Sequence, residues 1–232
     1  MPEGIHCVSG PHALHALLTG RRSTRRYRPD PVPGEVVQRL VQAAGAAPSA
    51  HNRQPWRYVV IEDAAAKATL ARAMGQRLAM DRTRDGDDAE AIRRDVERSF
   101  ARITGAPVAI LACLTSAEMD AYPDAKRREA EFLMAVQSTA MATQNLLLAA
   151  HAEGLGACWL CAPLFCPETV REALALPADW QPQGLVTLGF PQQPGKARPR
   201  KSLADILLVA EAPTLPSPAS GGGWGGGKRG RA

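Results

Sequence analysis

The densest chemistry-bearing stretch of the chain is Arg21-Arg22-Ser23-Thr24-Arg25, in which three guanidinium groups and a serine hydroxyl fall within one short segment. A guanidinium presents a planar fork of donors that meets phosphate or carboxylate oxygens two at a time. Such a segment suits a phosphate together with the anionic edge of a planar ring. Charge runs more often face water, so on composition alone a solvated stripe outweighs a clamp. A second basic cluster, Lys196, Arg198, Arg200 and Lys201, follows the third predicted strand, in the kind of loop where α/β folds place ligand contacts. Two arginine clusters so far apart in sequence shift the balance toward one shared anion.

Other motifs carry less. Gly222-x4-Gly227-Lys228 has the outline of a phosphate loop, but Arg229 stands where a magnesium-binding hydroxyl belongs, and no strand or helix pattern flanks it. Gly154-Leu155-Gly156 opens like a dinucleotide fingerprint, yet Trp159 occupies the third glycine position and the segment follows a helix. Cys158-x2-Cys161 with Cys166 lacks the second pair that a structural metal site needs, so buried reduced thiols are expected and no metal is assigned. The odd total of 5 cysteines, without an export-signal pattern, also argues against a disulfide framework.

The positioning elements follow from periodicity. The chain has 232 residues, 45% hydrophobic and 22% charged, which fits one large globular domain. A Leu14, Leu17, Leu18 stripe closed by Gly20 predicts a first helix, and Val36 to Ala44 after Pro33 a second, ending at Gly45. Ala47 to Trp56 reads as a loop. Tyr58–Ile61 is predicted as a buried strand, and Asp63 as the cap of the alanine-rich helix behind it. Residues 81–90 read as a charged, mobile connection, followed by a helix from Ala91 to Ile103 and a strand from Pro107 to Leu114. Residues 125–153 form the longest periodic segment, with Phe132, Leu133, Val136, Ala140, Thr143, Leu146, Leu147 and Ala150 on one broad face expected to be central and buried. Strands at Ala157–Cys161 and Gly184–Phe190, a helix opening at Pro167, and a last element at Ser202–Val209 complete the prediction. Residues 213–232 are rich in Gly, Pro and Ser and are expected to be disordered.

The net charge is +5, but removing the last twenty residues leaves 25 basic against 23 acidic residues, or +2, which does not suggest a nucleic-acid-binding face. No apolar run reaches the roughly 18 residues that a spanning helix needs. The chain is therefore expected to be cytoplasmic, with no membrane or nucleic-acid partner.

Four segments taken in order resemble the FMN-dependent nitroreductase family. They are Arg21-Arg-Ser-Thr-Arg25, Pro48-Ser-Ala-His-Asn-Arg-Gln-Pro-Trp56, Glu153-Gly-Leu-Gly-Ala-Cys-Trp159, and Gly189-Phe-Pro191 with Arg198-Pro-Arg200-Lys201. The resemblance covers about residues 12–209. It implies an α+β, nitroreductase-like fold with a central, mostly antiparallel sheet flanked by helices. It further implies an intertwined homodimer with FMN at the subunit interface and NAD(P)H as electron donor. On that resemblance Arg21, Ser23 and Arg25 match the positions holding the phosphate, ribityl chain and pyrimidine edge of FMN, with Arg22 beside them. Arg198 and Arg200 match a late basic pair on the phosphate. Pro48, Ser49 and Asn52 match the loop reaching the flavin from the second subunit, and Cys161 with Ala162 the segment whose backbone N–H groups approach flavin N5 and O4. Ala50 replaces a serine common in that loop, and the foldable chain ends near Val209, short of the longer C-terminal arm frequent in the family. Because the cofactor carries the hard chemistry, no Ser/His/Asp set is required. His51 is a weak candidate proton donor, with an ordinary loop histidine as the alternative.

A narrower resemblance lies in Tyr122-Pro-Asp-Ala-Lys-Arg-Arg128, Gln144-Asn-Leu-Leu147, and Leu164-Phe-Cys-Pro-Glu-Thr-Val-Arg171 running to Leu176-Pro-Ala-Asp-Trp180. These are similar to the C-terminal, nitroreductase-type domain of the bifunctional enzyme of coenzyme F(420) biosynthesis, which implies reduction of a dehydro precursor. Arg53, Lys126, Arg127 and Arg128 then stand as contacts to an anionic precursor, or equally as a solvated helix start. A general NAD(P)H-dependent nitroreductase or quinone reductase is the alternative among enzymes, and a non-catalytic flavin or deazaflavin binding protein the alternative outside them.

Overall fold

Val108–Leu114 alternates between two cores, and every residue of it is buried. That stretch is the second strand of an antiparallel sheet built from β1 (Trp56–Ile61), β2 (Val108–Leu114), β3 (Gly156–Leu160) and β4 (Gln181–Gly189), in the order β1-β2-β4-β3. A strand covered on both faces reads as a continuous apolar run, which is why the sequence of β2 shows no alternation. The computed structural model describes residues 10–210. The sequence-predicted tail at 213–232 and the phosphate-loop-like Gly222 to Lys228 lie outside those residues. One unit ends at Ala197 and a second begins at Arg198.

Val108 and Ile110, with Ala157, Val186 and Leu188, face a core closed by α2 (Gly34–Gly45) and α5 (Ala125–Ala152). Ala109, Leu111 and Cys113, with Leu185, face a second core closed by α3 (Ala64–Arg84) and α6 (Pro167–Ala173). α4 (Ala89–Thr104) packs on α3, and α1 (Pro11–Gly20) on α5 without burying any residue of its own. Asp63, Asp88 and Asp124 cap α3, α4 and α5, each side chain accepting a backbone N–H in the first turn.

Three sequence expectations change. Residues 81–90 are not a mobile connection. α3 continues to Arg84 because its charges pair: Arg77 with Asp81 at 2.7 Å, and Arg82 with Asp87 at 2.5 Å and with Asp95 of α4 at 2.6 Å. On α5, Phe132 and Leu133 are 40% and 53% exposed and Ala140 is exposed, whereas Ala135, Ser138, Thr139, Ala142 and Thr143 are buried. The buried stripe of α5 is made largely of small side chains up to Thr143 and of Leu146, Leu147 and Ala150 beyond it; these three and Thr143 are buried as expected. The last element shrinks to one turn at Leu203–Asp205, closed by a Ser202–Asp205 capping box, and residues 203–209 are exposed.

Candidate functional site

The arginine segment is laid along the free edge of β3 as a short extended strand. Ser23 bridges Ala157 in parallel, and the Thr24 N–H donates to the Ala157 carbonyl at 3.0 Å. Four residues on, Tyr27 bridges Pro191, and the Arg28 N–H donates to the Phe190 carbonyl at 2.9 Å. Thr24 is buried while Ser23 and Arg25 on either side of it are exposed, as extended backbone alternation requires. Thr24 fits because residue 156 is glycine: a Cβ there would stand 2.6 to 2.9 Å from three Thr24 side-chain atoms. The Tyr27 hydroxyl pins the same stretch from beneath, 2.5 Å from the Thr24 carbonyl, 2.9 Å from the Thr187 carbonyl and 2.8 Å from Thr187 Oγ1. Burial of this phenol pushes its pKa well up, so it stays protonated.

The charges of the segment are unspent. Among the described residues, Arg21, Arg22, Arg25 and Arg26 form no ion pair with any carboxylate, while arginines elsewhere pair freely, as Arg39 does with Glu153 at 2.9 Å. Arg22 folds back on the carbonyls of Thr19 and Arg21, at 2.5 and 2.9 Å. Gly195 lies against Arg22, where a Cβ would come within 2.4 Å of the arginine Cβ, so the chain returns to this segment just before the late basic cluster. The field of the arginines is felt by their neighbours. Burial raises the Cys158 thiol pKa, and Arg25 and Arg21 pull it back down. Burial, then Arg21 and Arg22, push the His151 imidazole below its ordinary value.

Cys161 and Ala162 follow β3 directly. Cys161 is exposed and Ala162 half-buried at the start of the turn Ala162–Phe165, and the hydrogen bonds of the described residues give neither amide an acceptor. The Trp159 indole N–H donates to Cys161 Sγ at 2.9 Å, and the indole lies where a Cβ on Gly184 would be 2.3 Å away.

The loop 48–54 is held by its own polar groups. Ser49 Oγ accepts the Gln54 N–H at 3.0 Å, the Asn52 N–H donates to the Ser49 carbonyl at 3.0 Å, and the Ala50 N–H reaches Ser138 Oγ of α5 at 3.4 Å. His51, Asn52 and Gln54 have φ of 49°, 54° and 49°, left-handed values that cost non-glycine residues roughly 1–3 kcal/mol each. Pro48, His51 and Asn52 are exposed and Ser49 half-buried. Strain concentrated in an exposed loop is a mark of a functional segment.

The structure thus brings Arg21, Arg22, Ser23 and Arg25 together with β3 and, through it, with Cys161 and Ala162. The hydrogen bonds of the 48–54 loop run within itself, to α5, to Asp120 and to Arg57, not to the segment Arg21–Arg25. Arg198 and Arg200 are exposed residues of the second unit. Sequence reading missed Thr24, Gly156, Tyr27 and His151, whose roles depend on contacts across long stretches of chain. Of these, only the glycine doublet at 154 and 156 gave a local signal. The cations of the narrower resemblance are largely engaged: Arg53 with Asp120 at 2.5 Å, Arg127 with Asp124 and over the Tyr122 ring at 4.8 Å, and Arg128 with the Pro123 carbonyl at 2.6 Å. Among the described residues, no group of three or more His, Cys, Asp or Glu is arranged to hold a metal, and no helix is long and apolar enough to cross a membrane.

A phosphate monoester fits this donor set: guanidinium groups unpaired among the described residues, an exposed serine hydroxyl and open backbone amides.

Comparison with known proteins agrees with the fold and places the chain in a family. The Nitroreductase family profile matches residues 18–190. The chain is 31% identical over 193 residues to the 5,6-dimethylbenzimidazole synthase of Rhodospirillum rubrum, covering 78% of this chain and 82% of that protein. It is 33% identical over 196 residues to the NADH dehydrogenase of Thermus thermophilus, covering 81% of this chain and 91% of that one. A nitroreductase-type protein from Desulfovibrio desulfuricans, crystallised in complex with FMN, superposes with a TM-score of 0.65 at 30% identity, covering 89% of this chain and 100% of its own. With its four-stranded antiparallel sheet between two helical layers and a profile match over most of its length, the chain belongs to the nitroreductase family.

Proposed function

We propose that this protein is an FMN-dependent oxidoreductase that uses NAD(P)H as electron donor and works as an intertwined homodimer. The observation that carries the reading is the unpaired Arg21, Arg22 and Arg25 set, fixed along β3 next to the open amides of Cys161 and Ala162. The FMN bound to the Desulfovibrio desulfuricans protein supports it. Bound FMN supplies hydride acceptance at N5 and electron delivery to an acceptor. In this reading Arg21 and Arg22 hold the phosphate, while Ser23 and Arg25 meet the ribityl chain and the pyrimidine edge. The Cys161 and Ala162 amides orient the ring at N5 and O4, and Pro48, Ser49 and Asn52 close the site from the second subunit. The positive charge of Arg25 at the pyrimidine edge favours the anionic reduced ring.

The acceptor is the finer part of the proposal. The motifs at 122–128, 144–147 and 164–180 favour the dehydro precursor of coenzyme F(420). The internal pairing of Arg53, Arg127 and Arg128 removes most of the anion-binding support for it, so this assignment rests on the motifs. A second reading, 5,6-dimethylbenzimidazole synthesis, is favoured by the Rhodospirillum rubrum relative.

The purified protein is expected to be yellow, or to become so with FMN, and to bleach on anaerobic addition of NADH or NADPH. Mass spectrometry of turnover with the dehydro precursor, with a simple quinone, and with dioxygen as the sole oxidant then separates the readings: a reduced precursor, a reduced quinone only, or dimethylbenzimidazole. A protein that stays colourless after incubation with FMN overturns the proposal. A yellow protein that neither donor bleaches points to a flavin store instead.

A further inference from the structure

His151, in the last turn of α5, rests against the end of α1, directly before the arginine segment. Its Nε2 lies 3.2 Å from where a Cβ on Gly20 would stand, so the ring rests against the end of α1 and any larger residue at 20 would crowd it. The imidazole is half-buried, and among the described residues neither ring nitrogen has a hydrogen-bond partner or an acidic neighbour in salt-bridge range. The carboxylate nearest in sequence, Glu153, is held in a two-point pair by Arg39 of α2, at 2.9 and 3.1 Å.

The charged and titratable groups on the elements packed against this end of α5 are few. α1 carries His12 and His15, both exposed, and leads into Arg21 and Arg22; α2 carries Glu35 and Arg39; β3 carries Cys158. Of these, Arg21 and Arg22 act on His151, and both disfavour its protonated form. A histidine left in this place gains nothing from its two cationic neighbours until an anion arrives among them.

We propose that His151 is a third cationic partner, beside Arg21 and Arg22, of a phosphate monoester bound at the end of α1, and that binding this phosphate is linked to the uptake of one proton from solvent by the imidazole. The inference rests on the reading that the arginine segment holds the phosphate of FMN. In the free protein, burial and the two arginines keep the ring neutral near pH 7. A dianionic phosphate reverses the local potential and raises the imidazole pKa, and the C-terminal end of α5 also favours a cation there. The sign follows by linkage: the affinity supplied by His151 is complete below the pKa of the free protein and is lost as pH rises through that of the complex.

The test is the flavin affinity of the full chain, stripped of flavin, measured by fluorescence quenching from about pH 5.5 to 8.5 for the wild type, His151→Gln and Arg21→Ala, with FMN and with riboflavin. For FMN, the Kd of His151→Gln relative to wild type is expected to be about tenfold weaker at the acid end, shrinking toward parity at the alkaline end. For riboflavin, which lacks the phosphate, the ratio should stay near one throughout. The second ionisation of the FMN phosphate itself, near pH 6, is common to both proteins and cancels in the ratio. An NMR titration of the wild-type imidazole supplies an independent readout: its pKa should rise with FMN and not with riboflavin. A ratio that does not change with pH, or an equal weakening for riboflavin, overturns the inference. If that happens while Arg21→Ala still loses FMN affinity, the phosphate site stands without His151. If Arg21→Ala binds FMN as the wild type does, the phosphate site and the inference fall together.

Discussion

Replacing Gly156 by alanine tests how the arginine segment is held. The new methyl would stand 2.6 Å from Thr24 Cγ2, 2.7 Å from Cβ and 2.9 Å from Oγ1, where ordinary contact begins at 3.4 Å. Thr24 is buried and β-branched, so no flexible end can swing away, and the residue has to shift by roughly 0.5–1 Å, an overpacking that costs about 1–3 kcal/mol of stability. Ser23 and Arg25 flank Thr24 and would shift with it. Losing one charge-assisted contact to bound FMN costs about 1.5–3 kcal/mol, or roughly ten- to a hundredfold in Kd. Urea unfolding reads the first effect and flavin fluorescence quenching the second. Thr24→Gly removes all three clashing atoms while keeping the N–H that bonds Ala157, so in the double variant the two effects should couple by about 1 kcal/mol or more in the restoring direction. Additivity of the two substitutions within about 0.5 kcal/mol, or an unchanged FMN affinity in Gly156→Ala, would refute the idea that this one contact sets the position of the arginines.

Other expectations are more local. Tyr27→Phe removes the hydroxyl that donates its one proton to the Thr24 carbonyl and meets Thr187 Oγ1, and should cost about 1–2 kcal/mol in urea unfolding. The Arg39 pair holds the Glu153 carboxyl below its ordinary 4.5, so its contribution is present above that pH and lost as pH falls through the folded value. The gap in urea midpoint between wild type and Glu153→Gln should therefore be visible at neutral pH and shrink as pH falls below 4.5, and a gap that does not shrink with acidification would contradict it. Cys161 is exposed, whereas Cys113, Cys158 and Cys166 are buried, with the Cys113 thiol pushed up to about 12 by burial. In a Cys7→Ser background, iodoacetamide followed by peptide mapping should mark Cys161 first, and FMN should slow that labelling if the flavin ring lies over this segment.

Much of the fold was legible because burial on both faces leaves a plain signature. Val108–Leu114 is an unbroken apolar run and the core of β4 is broken only by buried Thr187, and their boundaries fall within a few residues of the predicted ones. The strand order was not legible, since β2 finds β4 as its neighbour across 66 or more residues with no local cue. α5 misled for a definite reason. Thr143, Leu146, Leu147 and Ala150 are buried as the periodicity predicted, but earlier in the helix Phe132 and Leu133 face outward and the buried positions are mostly the small Ala135, Ser138, Thr139 and Ala142, which carry little hydrophobic signal. In the candidate site, the arginine run announced itself by composition, and the loop 48–54 by its Pro, Ser and Asn. Neither pattern revealed the left-handed backbone at His51, Asn52 and Gln54, because none of these is glycine.

What separates a clamp from a solvated stripe in the end is where the acids go. On the α3–α4 hairpin, Asp81, Asp87, Asp95, Glu90 and Glu97 are matched against Arg77, Arg82, Arg93 and Arg98, so that surface neutralises itself. The segment from Arg21 to Arg26 holds as dense a basic run and receives no carboxylate from any described residue, although it is fixed on β3 by backbone bonds and by buried Thr24. Holding unneutralised guanidinium groups side by side opposes folding through their mutual repulsion, a cost a merely soluble surface would relieve with one nearby aspartate. Retaining it makes sense where the missing charge comes from a ligand, since an anion that binds only the folded chain returns the lost stability in proportion to its affinity.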